Sequence, residues 1–194
     1  MLIDLHCHTA PLSACSALRP EEVVDLARER GLDGVCFTEH DRWWDATALD
    51  DLASRTGFPL FAGVELTVSE GHFLGFGLGP TTAISSLAMV AEAAEATRGL
   101  LYLAHPARDT LTRLSPALAE LCQSIETING SDSPLVNTAA QGLVANFALP
   151  GIGGSDCHRA AEVGRAATRF ERRITSTREL VSELRAGRYS ACYL

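Results

Sequence analysis

The stretch Leu2–Thr9 (L-I-D-L-H-C-H-T) decides the predicted fold, because it has the pattern of a buried strand that ends in two histidines, His6 and His8. Alternate side chains of a β-strand point to opposite faces, so an extended His-x-His places two imidazoles side by side. This spacing is typical of a strand that holds a metal ion. Asp4, on the same predicted face, is expected to orient one of the ligand histidines.

Composition limits the classes of protein to which the chain can belong. The 194 residues are 46% hydrophobic, which predicts one compact domain over residues 1–194. No apolar run approaches the roughly 20 residues of a membrane span, and the start M-L-I-D-L-H does not resemble a signal peptide. We therefore expect a cytoplasmic protein. The net charge of −8 argues against binding to extended nucleic acid but permits a small anionic substrate.

The six cysteines do not form any C-x-x-C pair and are interpreted as reduced thiols. Cys7 and Cys157 each lie between two candidate ligands, so strand alternation predicts that both point away from the site and pack as small hydrophobic residues. Cys15 is kept open as a residue that helps to bind a metal.

Strand-like and helical stretches alternate along the chain. Pro20, the acids after it and Gly31 delimit a first helix. Further helices are predicted over residues 45–56, 84–98, 114–121, 134–147 and 177–186, and strands over 32–38, 58–68, 72–78, 100–104, 124–129, 151–154, 166–170 and 189–194. This rhythm predicts an α/β fold with a largely parallel sheet, closed into a barrel or nearly so. In such barrels the chemistry collects at the carboxyl ends of the strands.

All six histidines of the chain lie at or near predicted strand ends. They are His6, His8, His40, His72, His105 and His158, and Asp156 belongs to the same set. One lone histidine is more often structural, but two pairs at i, i+2 and three singles in parallel positions favour a metal site. Glu65, in the apolar context G-V-E-L, is the candidate for a carboxylate that bridges two cations, although a surface acid at a strand end has the same pattern.

The motifs resemble those of the polymerase and histidinol phosphatase (PHP) family of metal-dependent phosphoesterases. The resemblance covers nearly the whole chain. It rests on D-L-H-C-H-T, F-T-E-H-D, G-V-E-L with G-H-F-L-G-F-G, A-H-P and G-G-S-D-C-H, and on the later I-E-T-I-N-G, V-G-R-A and E-L-V-S-E-L-R-A-G-R.

This resemblance implies an α/β fold of the PHP type, a distorted (β/α)7 barrel with two or three divalent metals (Zn, Mn or Fe) at its mouth. By position, His6, His8, Glu65 and Asp156 hold one metal, Glu65, His72 and His105 a second, and His40 and His158 the third. Family members usually supply another Asp or His after the first motif, which this sequence lacks, so the third site is expected to be weak, water-completed or helped by Cys15. Glu39 also replaces the more usual Asp of the second motif.

The activity implied is the hydrolysis of a small phosphoester, a phosphomonoester or nucleotide, by a metal-bound hydroxide in a di- or trinuclear site. Asp41 is a candidate proton donor, and an Asp at the start of a surface helix is an equal interpretation. Arg42, Arg108 and Arg159 follow the motifs and are candidates for phosphate binding. Trp43 and Trp44 form an aromatic wall or pack against the barrel rim.

Two other functions stay open at this point. The same centre can hydrolyse a non-phosphate substrate such as a cyclic amide or an ester, and a PHP fold can persist as a non-catalytic accessory module. The small size of the chain predicts a small or open pocket, and an oligomer is possible.

Overall fold

The computed structural model describes residues 1–81, 84–108 and 114–194. In these ranges the strands are β1 (Leu2–Cys7), β2 (Gly34–Phe37), β3 (Leu60–Val68), β4 (Gly71–Phe76), β5 (Leu100–Leu103), β6 (Ser124–Asn129), β7 (Ile152–Gly154), β8 (Ala166–Phe170) and β9 (Tyr189–Tyr193). The helices are α1 (Pro20–Glu29), α2 (Ala46–Thr56), α3 (Leu87–Thr97), α4 (Pro116–Leu121), α5 (Pro134–Leu143) and α6 (Thr177–Ala186), and a 3-10 turn follows α5 at Val144–Asn146.

The strands form one sheet in the order β7-β6-β5-β4-β3-β2-β1-β8-β9. β1, β2 and β3 are parallel to one another, as are β5, β6 and β7. β4 runs antiparallel to both of its neighbours, and β8 and β9 extend the sheet by antiparallel pairing beyond β1. The strand and helix rhythm predicted from the sequence is therefore present, but the sheet is mixed in direction.

The segment that follows β7 runs along the end of β1 and nearly closes the sheet. The Asp156 amide donates to the carbonyl of His6 at 2.7 Å, and the His8 amide donates to the carbonyl of Cys157 at 3.3 Å. Cys7 and Cys157 lie opposite each other here, and their free, buried thiols are 3.1 Å apart. We call this contact between the segment after β7 and the end of β1 the seam, and the predicted barrel-like closure is confirmed there.

The described residues do not show seven β/α units. β3 and β4 are joined by a direct hairpin without a helix, and the chain passes from β7 to β8 without one. Hairpin pairing brings the start of β4 to the edge where β3 ends, with His72 opposite Thr67. The exact (β/α)7 count expected from the resemblance is therefore not reproduced, while the nearly closed barrel is.

Glycine permits the close approach of β7 to β1. A Cβ atom added to Gly154 would lie 2.4 Å from the Cβ of His6 and 2.6 Å from its backbone nitrogen. Because backbone atoms cannot rotate away as a flexible side chain can, a side chain at this position would push the two strands apart. Gly154 thus allows the seam that places Asp156 beside His6.

Helix-capping residues explain why the helices begin where they do. Five helices have a side-chain N-cap, contributed by Asp45, Ser86, Ser115, Ser133 and Ser176. α1 instead begins with Pro20 at its first position and Glu21 and Glu22 in its first turn. These local signals fix the helix starts.

None of the helices in the described ranges has the length and apolar character needed to cross a lipid bilayer.

Candidate metal centre

The carboxylate of Glu65, buried on β3, lies at the middle of the histidine cluster. Its two oxygens face different imidazoles. Oε2 is 3.2 Å from His6 Nε2, 3.0 Å from His8 Nε2 and 3.2 Å from His40 Nδ1, and Oε1 is 2.8 Å from His72 Nδ1 and 3.2 Å from His105 Nε2. One carboxylate therefore stands between two groups of nitrogen ligands.

The topology of the sheet brings these side chains to one edge. His6 and His8 are at the end of β1, His40 pairs with Glu65 just beyond β2, and His105 follows β5. His72 reaches the same edge from the start of β4, because β4 runs in the opposite direction. All of these residues therefore lie at the carboxyl ends of the parallel strands, where barrel sites form.

Asp156 adds a second carboxylate from the loop that follows β7. Its Oδ1 is 3.4 Å from His6 Nε2 and 3.3 Å from His8 Nε2. Its Oδ2 accepts a hydrogen bond from Arg108 Nη2 at 2.7 Å. Asp156 has φ +52°, a left-handed conformation that is uncommon outside glycine and turns the side chain into the cluster.

Three groups of candidate ligands have their donor atoms close enough to share one ion each. They are His6, His8, Glu65 and Asp156; His40, Glu65 and His72; and His8, His40 and His158. The first group unites the residues expected from the sequence to hold one metal. His105 also faces Glu65. The His8 ring stacks between the rings of His40 and His158, with ring centroids 4.3 Å and 4.5 Å apart.

Electrostatic interactions keep the carboxylates of the cluster charged. Burial would raise the pKa of Glu65, but the neighbouring histidines, His6 foremost, hold it well below its usual range. Burial lowers the pKa of His8, yet hydrogen bonds to Asp156 and Glu65 outweigh it and raise the pKa to about 9. Burial lowers the pKa of His40 to about 4 despite the attraction of Glu65, so that this ring is neutral at pH 7.

Three comparisons with known proteins show what this chain is similar to. A family model described as PHP-associated matches residues 134–189. A 3',5'-nucleoside bisphosphate phosphatase of Chromobacterium violaceum is 37% identical over 82 residues, which are 40% of this chain and 28% of that protein. A phosphoribosyl 1,2-cyclic phosphate 1,2-diphosphodiesterase of Eggerthella lenta is 30% identical over 84 residues, 40% of this chain and 31% of that protein. Together these matches support a protein of the PHP family.

The matches to these curated PHP relatives span less than a third of either relative's length. The fold has a fuller match. The crystal structure of a putative metal-dependent phosphoesterase from Bifidobacterium adolescentis superimposes with a TM-score of 0.69 at 18% identity, over 95% of this chain and 96% of that one. At this identity the match shows that the two chains share one fold.

The donor atoms of this cluster fit metal cations. His6 Nδ1 is 3.0 Å from the Glu126 carboxylate, which only accepts, so that in the neutral form of the ring Nε2 is the unprotonated nitrogen. That atom lies 3.1 Å from His8 Nε2 and 3.2 Å from Glu65 Oε2. Three electron-rich atoms at one point need a proton or a cation between them. Two ligands bound to one cation at about 2.0 to 2.2 Å are about 3.3 to 3.6 Å apart in a tetrahedral site and about 2.8 to 3.1 Å apart in an octahedral one, and these separations lie between the two ranges.

The predicted metal ligands come together in one cluster, whereas most of the residues predicted to bind or protonate the substrate are exposed. Arg108 reaches the histidine cluster, since it contacts Asp156 at 2.7 Å and also Asp132 at 2.6 Å. Arg42 and Arg159 are exposed. Asp41 is exposed too, and its Oδ1 accepts the Thr67 amide at 2.9 Å at the end of the β3 strand. Among these predicted residues, Arg108 is the one whose side chain contacts a candidate metal ligand, whereas Asp41 contacts Glu65 through its backbone amide at 2.9 Å.

Other residues near the centre have mainly structural contacts. Trp44 stacks on Phe37 with ring centroids 5.2 Å apart and donates its indole N–H to Glu39, and Trp43 is half-buried against the apolar residues around β3. Cys15 is exposed. The aromatic pair therefore packs against the rim, as one of the two sequence interpretations expected.

Asp4 does not have the role that the sequence predicted. Its Oδ1 accepts the backbone amides of His6 at 3.1 Å and Ser155 at 2.8 Å. The pairing of β1 with β2 is irregular between Asp4 and Cys7, so simple alternation fails here. In the part of the chain that the structure describes, the carboxylate that contacts His6 Nδ1 belongs to Glu126.

Glu126 and Ser13 are the functional residues that sequence reasoning missed. Glu126 is buried on β6, and its second oxygen accepts the His105 amide and the Asn129 side chain, both at 2.9 Å. A buried acid in the apolar strand I-E-T-I-N is the same signal that pointed to Glu65. Ser13 had no comparable signal, because its contacts depend on the path of the loop.

Proposed function

We propose that this chain is a metal-dependent phosphoesterase that hydrolyses a small phosphoester. The observation that carries the proposal is the position of Glu65, whose two oxygens face His6, His8 and His40 on one side and His72 and His105 on the other. A carboxylate between two groups of imidazoles is what a site for two neighbouring cations requires. A salt bridge with one partner would not explain why the two oxygens face separate groups of imidazoles.

The ligand sets are proposed as follows. His6, His8, Glu65 and Asp156 hold one divalent ion, Glu65, His72 and His105 hold a second, and His40 and His158, close to His8, hold a third. Zn, Mn and Fe all suit this mixture of nitrogen and oxygen donors. Bound at these positions, such ions lower the pKa of water and neutralise the charge of a phosphate group.

The residues around the centre supply binding and positioning. Arg108 is held by Asp132 and Asp156, which directs its guanidinium toward the edge of the cluster, where a phosphate oxygen can accept from it. A recess of about 300 Å³ opens beside His72 and His105, lined by residues 68–72 with Ala104 and His105. A recess of this size suits a small leaving group. Asp41 stays a predicted proton donor.

The named activities of the relatives support this class of substrate. The Chromobacterium violaceum protein is named as a nucleoside bisphosphate phosphatase and the Eggerthella lenta protein as a cyclic phosphate diphosphodiesterase. Both names describe hydrolysis of a small phosphorylated nucleoside or sugar. A phosphomonoester or nucleotide is accordingly the substrate class proposed for this chain.

The test combines metal analysis with an activity assay. Protein purified without added metal is analysed by elemental mass spectrometry, and phosphate release from an aryl phosphate is measured after Mn²⁺ or Zn²⁺ is added. We expect at least two metal ions per chain and metal-dependent phosphate release. Metal binding with hydrolysis only of amides or carboxylic esters would favour the non-phosphate hydrolase, and absence of metal would favour the accessory module.

A substitution of Glu65 tests the bridge itself. Glu65→Gln removes the charge shared by two sites, so metal content should fall at both and activity should fall more than about 100-fold, beyond the usual effect of residues outside the ligand set. Glu183→Gln is the matched control. Glu183 is another buried carboxylate, but it lies on α6 and pairs with Arg172 and Arg188, which flank that helix. Unchanged metal content in Glu65→Gln would refute the bridge.

A further inference from the structure

Glu39, the residue before His40, is a fully buried carboxylate with an unusually complete set of donors. Its Oε2 accepts the Thr9 amide at 2.9 Å and the Ser13 hydroxyl at 2.5 Å. Its Oε1 accepts the Trp44 indole N–H at 3.0 Å and the Thr9 hydroxyl. Four donors stabilise the buried charge and hold it in place.

The bond from Ser13 to Glu39 determines what else Ser13 can do. A serine hydroxyl has one hydrogen and two acceptor positions. Because a carboxylate only accepts, that hydrogen is committed to Glu39. The Ser13 oxygen then has acceptor positions for the His40 amide at 3.2 Å and for the His8 ring, whose Nδ1 is 3.3 Å away.

This arrangement fixes the tautomer that His8 adopts when its ring is neutral, as a metal ligand must be. Since Ser13 has no hydrogen left to donate, the hydrogen between the two groups belongs to His8 Nδ1. A neutral ring protonated at Nδ1 has its lone pair on Nε2. His8 Nε2 is the atom that faces Glu65 Oε2 at 3.0 Å and Asp156 Oδ1 at 3.3 Å.

We propose that Glu39 is a positioning residue that acts through Ser13 to hold His8 as the Nδ1–H tautomer, with Nε2 directed at the metal centre. The inference rests on the proposed metal-dependent function. Glu126 contacts the His6 ring directly, whereas Glu39 reaches the His8 ring through a hydroxyl. The same hydroxyl accepts the His40 amide, so that one carboxylate orders two of the candidate ligands.

The test measures zinc affinity by competition with a chelator, and the tautomer by ¹⁵N NMR of the histidine rings in zinc-loaded protein. In the wild type we expect a protonated His8 Nδ1 and a zinc-bound Nε2. Ser13→Ala removes the acceptor of His8, so zinc affinity should fall by about 10- to 100-fold. Ser13→Thr keeps the hydroxyl and should restore most of the affinity. Glu39→Gln should weaken zinc binding as well, because an amide can donate to Ser13 and release its hydrogen toward His8.

Ser16→Ala is the matched control within the same loop. The Ser16 hydroxyl donates to the His8 carbonyl at 2.9 Å and does not bear on the ring tautomer. We expect near wild-type zinc affinity for this variant. An equal loss in Ser16→Ala and Ser13→Ala, unchanged affinity in Ser13→Ala, or zinc bound to Nδ1 of His8 in the wild type would each overturn the proposal. A wild-type protein without zinc would instead overturn the proposed function.

Discussion

His6 and His8 lie two residues apart at the end of β1. The groups that contact Nδ1 of their rings come from different parts of the chain. The His6 ring is 3.0 Å from Glu126 on β6, and the His8 ring is 3.3 Å from Ser13 in the loop after β1. A metal ligand needs its second ring nitrogen held in this way, because that contact fixes both the orientation and the tautomer. The two residues of one motif are thus supported independently and can be tested separately.

The contact of Glu126 with His6 gives a prediction at this scale. Glu126→Gln removes the charge beside the His6 ring and disturbs the acceptor of the His105 amide. Zinc affinity should fall by about 10- to 100-fold, measured by chelator competition, while Glu183→Gln should leave it unchanged. Wild-type affinity in Glu126→Gln would contradict this role.

At the level of residues, the sequence predicted a candidate site residue wherever a histidine or an acid stood at or near the end of a predicted strand. The six histidines, Glu65 and Asp156 had that signal, and the structure brings them to one edge. Glu126 had the same signal as Glu65, a buried acid in an apolar strand. Ser13 could not be predicted, because its contacts with Glu39 and His8 depend on how the loop folds back.

At the scale of elements, the helices and strands were predicted closely, since caps and hydrophobic runs are local signals. Asp45, Ser115 and Ser133 begin helices at or near the expected residues. The (β/α)7 count came from the resemblance and is not confirmed, because β3 and β4 pair as a hairpin with no helix between them. That pairing depends on contacts between strands, which a local pattern does not encode.

The close seam between β7 and β1 gives a prediction for Gly154. Gly154→Ala would place a Cβ atom 2.4 Å from that of His6. We expect a loss of about 1 to 3 kcal/mol in the free energy of unfolding, measured by chemical denaturation, because the strands must separate.

Gly142→Ala is the matched control for this substitution. Gly142 lies in α5, and an added Cβ would meet nothing within 4 Å. Alanine is a better helix former than glycine, so this variant should be as stable as the wild type or up to about 1 kcal/mol more stable. Equal stability of Gly154→Ala and the wild type would show that the seam can adjust.

At the scale of the whole molecule, protons and cations compete for one buried cluster. The pKa of His8 is about 9 in the metal-free fold, against about 6.5 for an ordinary histidine. Its protonation therefore stabilises the metal-free fold fully below pH about 6.5, and this contribution is lost as the pH rises toward about 9.

Metal binding must accordingly release protons at neutral pH, and zinc affinity should increase with pH up to about 9. Calorimetry in buffers of different ionisation enthalpy measures this release. The melting temperature in the presence of a chelator should decrease over the same pH range. Zinc binding without proton release would contradict the protonated state of His8.

Some properties of the whole molecule stay predictions. The single domain over residues 1–194, the cytoplasmic location and the oligomeric state depend on information that strand and ligand patterns do not contain. The net charge of −8 is a property of the entire surface and concerns the class of binding partner more than the fold.

The seam between Cys7 and Cys157 also orders events during biosynthesis. These residues are 150 positions apart, and each is flanked by ligands. On the ribosome, His6, His8 and Glu65 emerge long before Asp156, so the group formed by these four residues is incomplete during most of translation. A metal ion at this proposed site would gain its last ligand only when the segment after β7 docks on β1, which would couple loading of this site to completion of the fold.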